Sequence, residues 1–173
     1  MARIDAVERS IPYLIPVRVS KRLFMALVPV SVWFSRQPSL NAITRPLMRF
    51  FGSATLWMAK ARPQSSVEDV GKEWQRMFPS RKDVPITSVE GDTVYAEIHT
   101  RCPHRGTGNV DGCYRMMEYD RKMLERIGGK LVVLRSQAEP GVEVCQVAIR
   151  KAGVSVDDLV PAHIRARRSI DRA

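Results

Sequence analysis

Between residues 84 and 150 the apolar pattern changes period twice, from alternation to helical spacing and back again. A chain that does this builds a mixed helix-and-sheet unit. Residues 84–89 and 93–100 read as two strands around a Glu90-Gly91-Asp92 turn. In the second strand Val94, Ala96, Ile98, Thr100 and Cys102 share one face, while Tyr95, Glu97, His99 and Arg101 share the other. A Gly-rich loop leads to a helix over about 112–127, stopped by Gly128-Gly129. Residues 130–137 and 142–150 read as two further strands. Between them Pro140 and Gly141 sit where a type II turn wants them, and Cys145, Val147 and Ile149 share one face of the last strand. The expectation is an α+β fold: an antiparallel sheet from a β-β-α-β-β unit with two tight hairpins, helices on one face, and an amphipathic helical N-terminal arm in front.

Charge divides the chain into an arm (1–62), a core domain (63–162) and a tail (163–173), with balances of +8, −1 and +3. The basic character therefore lies in the two ends. The neutral middle lacks a basic, aromatic-interleaved face, so nucleic acid is not the expected partner. In the arm, residues 23–34 are uncharged but short of the roughly 20 apolar residues of a spanning helix, and Pro29 interrupts them. Asp5 and Glu8 spoil a secretory leader. Ser39 is a plausible cap for a helix carrying Leu40, Ile43, Leu47, Phe50, Phe51, Ala54, Trp57 and Met58, which Pro46 should bend or start. That helix can pack on the protein's own sheet, on a second subunit in a homo-oligomer, or on an anionic membrane surface or acidic protein. The 63–66 linker follows, where Ser65 and Glu68 have the spacing of a capping box. A short helix then carries Val67, Val70, Trp74, Met77 and Phe78, ended by Pro79. Three cysteines, an odd number, suit a reducing compartment. The expected location is cytoplasmic, with the arm able to hold the chain at the inner face of a membrane.

Chemistry concentrates in the second half. On the 112–127 helix Cys113, Met116, Met117, Asp120, Met123, Leu124 and Ile127 form one stripe, which places a carboxylate on a face that should be buried. Cys113, in the first helical turn, has an environment that lowers a thiol pKa. Cys102-Pro103-His104 precedes it and can supply a nucleophile, a base or metal ligands. Cys145 reads as core packing or as a third cysteine on the same side of the sheet. The glycines of residues 105–112 form neither a P-loop nor a dinucleotide fingerprint.

Thr100-Arg101-Cys102-Pro103, then Cys113 and Asp120 on one helix, then Gly141 ahead of Cys145 in the last strand, resemble the L-2-amino-thiazoline-4-carboxylic acid hydrolase family over residues 65–152. That family is similar in layout to 4-vinyl reductase type small-molecule-binding domains, whose cysteines are suspected metal ligands. The resemblance implies hydrolysis of a cyclic amidine, with Cys113 as nucleophile, Asp120 as acid and base, and Cys102 as their partner. Arg101, Arg105 and His104 would bind the substrate, the arginines holding its carboxylate. The alternative is a non-catalytic domain that binds a small molecule, or in which Cys102, His104, Cys113 and Cys145 hold zinc or an iron–sulfur centre.

Overall fold

The computed structural model describes residues 40–170 together with Trp33 and Gln37. Its elements are helix α1 (Asn41–Met58), helix α2 (Val67–Arg76), a 3-10 turn (Arg81–Asp83), strands β1 (Ile86–Glu90) and β2 (Thr93–Ile98), helices α3 (Val110–Met116) and α4 (Glu118–Ile127), strands β3 (Gly129–Arg135) and β4 (Cys145–Lys151), and helix α5 (Ala162–Ile170). The fold is α+β. One four-stranded antiparallel sheet has the order β1-β2-β4-β3. The α3–α4 crossover carries the chain to the far edge as β3, and β4 returns between β3 and β2.

Inward residues of the sheet, Val94, Ala96, Leu131, Val133, Val147 and Ile149, meet Val70 and Trp74 of α2, Cys113 of α3, and Met123, Leu124 and Ile127 of α4. All of these helices therefore cover one face. Trp74, Met123, Leu124, Ile127 and Ile149 are fully buried. Each contributes roughly 1.5–3 kcal/mol by burial, which makes this layer the main source of stability. Helix α2 reaches the sheet closely because Gly71 has no side chain: a Cβ there would stand 2.9 Å from Val94 Cγ1.

Local chemistry moves several expected boundaries. Ser66, not Ser65, caps α2, accepting from Asp69 N–H at 3.0 Å and donating to its carboxylate at 2.7 Å. The helix expected over 112–127 begins at Val110, because Asn109 Oδ1 accepts from Gly112 N–H at 2.8 Å. It breaks at Met117, where Arg121 Nη1 donates to the Tyr114 carbonyl at 2.8 Å, the acceptor an unbroken helix would offer to residue 118. The first hairpin is tight, with Glu90 opposite Thr93. The second is not: residues 136–144 form a longer link, within which Val142 N–H reaches Glu139 O at 3.3 Å across Pro140 and Gly141.

Helix α1 starts at Asn41 and runs through Pro46, while the Ser39 cap lies outside the described residues. It packs against α4 of the same chain. Arg45 Nη2 and Arg49 Nη1 each lie 3.1 Å from the buried Glu118 carboxylate, which Arg121 also holds, and Arg49 reaches Glu125 at 2.6 Å. The Thr55 and Tyr119 hydroxyls meet at 2.9 Å. Gly52 permits this crossing, since a Cβ there would lie 2.7 Å from Tyr119 O. The residues turned inward are Thr44, Met48, Gly52, Leu56 and Ala59, and Leu56 joins the sheet-side core. Of the expected apolar stripe, Ile43, Phe50 and Trp57 are exposed, while Leu40, Leu47, Phe51, Ala54 and Met58 are half-buried.

The tail also contributes to the packed unit. In α5, Ala162 is buried, the His163 ring stacks on Tyr114 at 3.8 Å, and Arg165 and Arg167 pair with Glu139 and Asp111 at 2.8 and 2.9 Å.

Candidate functional site

Three cysteines from distant parts of the sequence meet where β2 ends and β4 begins. Ile98 is paired with Cys145 across those strands, and Cys102 follows four residues after Ile98 in the outgoing loop. Cys113 arrives from α3. The Cys102 thiol is hydrogen-bonded to Cys113, and Cys113 to Cys145, so the sulfurs form a row with Cys113 in the middle. Ser136 adds a hydrogen bond to Cys113. All three cysteines are reduced; Cys102 is half-buried and the other two are buried.

Gln137 builds this corner, and its role was not expected from the sequence. It is completely buried. Its Oε1 accepts from Cys102 N–H at 2.9 Å, and its Nε2 donates to the Ile98 and Thr100 carbonyls at 3.0 Å each. Its own N–H points at Cys145 Sγ at 3.3 Å, and its carbonyl accepts from Gly106 N–H at 2.8 Å. One amide side chain thus replaces ladder partners for the residues after β2. That explains why β2 ends at Ile98 rather than Thr100, and why Cys102 belongs to a loop rather than a strand face.

The electrostatics differ along the row. The Cys102 thiol is raised well above its ordinary range, first because it donates to Cys113 and then by burial. For Cys113 the bond from Cys102 pulls the pKa down, but the bond to Cys145 and burial outweigh it, and it is pushed up to about 12. Cys145 moves the other way: the bond from Cys113 favours its thiolate, against burial, and Gln137 N–H adds to it. The sequence pointed to Cys113 as the thiol with a lowered pKa; in the structure it is Cys145 that is lowered and Cys113 that is raised. The reason is local. Cys113 N–H is already bonded to Asn109 O at 3.2 Å, and α3 is only seven residues long, so little helix-end potential reaches the sulfur.

Asp120 is buried, as its place on the stripe implied, and Trp74 Nε1–H donates to its Oδ1 at 3.0 Å. Burial, against that bond, raises its carboxyl to about 6. Beside Cys113 lies a cavity of about 10 Å³, room for roughly one water, walled also by Tyr114, Ser136 and His163. A second hollow of about 90 Å³ lies between residues 108–111 and α5, again with His163 in its wall. Neither Cys102 nor Asp120 lines either space. His104 is fully buried, and its backbone N–H donates to Cys102 Sγ at 3.4 Å. Arg101 and Arg105 are exposed outside both cavities, and Arg105 lies 3.4 Å from Glu143. No group of three or more His, Cys, Asp or Glu among the described residues is arranged to hold a metal ion.

His163 is the other residue the sequence did not flag. Burial, then Arg121 and Arg167, lower its pKa and favour the neutral ring. Its only sequence signal was a lone histidine in a basic tail.

Comparison with known protein families, with curated proteins and with solved structures finds no match to this chain.

Proposed function

We propose that the chain works through its three thiols as a reversible dithiol–disulfide relay. The observation that supports this is the row Cys102–Cys113–Cys145, in which neighbouring sulfurs are in hydrogen-bonding contact and only the first is half-exposed. With a peroxide as oxidant, the Cys102 thiolate attacks the O–O bond, giving a sulfenic acid and hydroxide, which takes up the released proton as water. Cys113 sulfur displaces the sulfenic oxygen as a second water and closes a disulfide with Cys102. Cys145, the most readily ionised of the three, then attacks Cys113 and frees Cys102, which regains a proton. Two thiols are oxidised and one peroxide becomes two waters. Because Cys102 holds its proton tightly, the first step should quicken as pH rises through the alkaline range.

The test is peroxide treatment followed by alkylation and peptide mass spectrometry. The expected result is two thiols protected in a disulfide that contains Cys113, restored by a reductant. With Cys102→Ser, oxidation should slow by roughly tenfold or more, because the most accessible sulfur is gone. Three fully alkylatable thiols after oxidation, or stoichiometric zinc or iron in the purified protein, would overturn the proposal.

A second reading is hydrolysis of a 2-amino-thiazoline carboxylate or related cyclic amidine. It is supported by the water-sized cavity in which His163, its pKa lowered by burial, stands beside Cys113. Here His163 would take a proton from a water or from the Cys113 thiol and return it to the leaving nitrogen. Turnover lost in His163→Gln but kept in Cys145→Ser would favour this reading, since the relay needs Cys145 and no histidine.

A further inference from the structure

We propose that the outward face of α1 docks on an anionic lipid surface. Ile43, Phe50 and Trp57 are seven residues apart, so they share one helix face, and they are 51%, 66% and 66% exposed. The opposite face is occupied by α4 through Glu118, Glu125 and Tyr119, so α1 is held in place with Ile43, Phe50 and Trp57 outward. Large aromatic groups set this way, with exposed Lys60 and Arg62 at the end of the helix, match the layout of an interfacial helix.

Charge selects the occupant. Residues 1–62 carry a balance of +8, and the uncharged stretch 23–34 is flanked by Lys21, Arg22 and Arg36. A second copy, or this chain's own segment 23–34 with its basic flanks, would bring like charge to the same face, whereas anionic headgroups neutralise it while the acyl boundary accepts Phe50 and Trp57. No helix among the described residues is long and apolar enough to cross a membrane, so the surface contact is with α1 lying flat.

The experiment is co-sedimentation of the full chain with phosphatidylcholine vesicles, with and without phosphatidylserine. Binding is expected only with phosphatidylserine and should weaken as salt is raised. The double variant Phe50→Ser with Trp57→Ser should bind roughly tenfold or more weakly. Its far-UV spectrum and melting temperature check folding, and Ile43→Ser serves as a second variant should the double one fail. Absence of binding, equal binding by both vesicle types, or undiminished binding by the folded variants overturns the proposal. So does a wild-type dimer that Phe50→Ser with Trp57→Ser dissolves, which assigns the face to a second copy. Cross-links from residues 23–34 to Phe50 or Trp57 that persist with vesicles assign it to the chain's own arm.

Discussion

At the thiol corner the Ile98 and Thr100 carbonyls and the Cys102 N–H beyond β2 are met by the buried Gln137 side chain, whereas on the outer face of α1 Ile43, Phe50 and Trp57 stand in solvent. The first region spends its polar groups inside and the second leaves its apolar groups outside. Both invert the pattern that helix and strand periodicity leads one to expect. The contrast separates two kinds of conspicuous residue. Gln137 looks unremarkable in sequence and holds a corner of the fold together, while Phe50 and Trp57 look like core and contribute little to it.

The largest effect that would sharpen this contrast is at Gln137. Gln137→Ala leaves Cys102 N–H and the Ile98 and Thr100 carbonyls without their partner, and an orphaned group costs about 1–3 kcal/mol where it is buried and less at the exposed Thr100. Water entering the vacated space recovers part of that. A net loss of about 3–5 kcal/mol in urea unfolding is expected, together with faster alkylation of Cys102. A change below about 1 kcal/mol would mean that the strand ends do not depend on this amide.

Next is Asp120, which the sequence did place correctly. Its position on the Cys113–Ile127 stripe predicted burial; what could not be read was the donor, because Trp74 lies 46 residues away on another helix. The folded carboxyl keeps its proton to about pH 6, against an ordinary value of 3.8. Between those values the folded state binds more protons than the unfolded chain, so stability falls as pH rises from about 4 to about 6 and is level above. The decline from this group is about 3 kcal/mol. Asp120→Asn keeps an acceptor for Trp74 and cannot ionise, so its unfolding midpoint should lack this decline. An identical pH profile in both proteins would mean that Asp120 is charged in the folded state.

The antiparallel sheet, its first hairpin and the helical cover were legible because each rests on local periodicity and on Gly91 or Gly128 at a turn. The α1 interface was not. Its inward face is made of Thr44, Met48, Gly52, Leu56 and Ala59, with Arg45 and Arg49 reaching Glu118, so the packing surface mixes small, polar and apolar groups while Ile43, Phe50 and Trp57 lie opposite. Periodicity locates an apolar face and does not say what covers it. Gly52→Ala tests the inward side: the added methyl meets Tyr119 O at 2.7 Å, backbone that can yield only by moving α4. A loss of about 1–3 kcal/mol is expected. An unchanged melting temperature would show that α1 can move away from α4 without cost.

The smallest expected effect is the counterpart on the outward side. Trp57 is 66% exposed, so Trp57→Ser removes little buried area, and the added serine trades one helix propensity for a similar one. Stability in plain buffer should stay within about 0.5 kcal/mol of the parent chain, despite the loss of the largest side chain on the helix. A loss of about 2 kcal/mol or more would place Trp57 against other residues of this protein, and the outer face of α1 would then belong to its core as the inner face does.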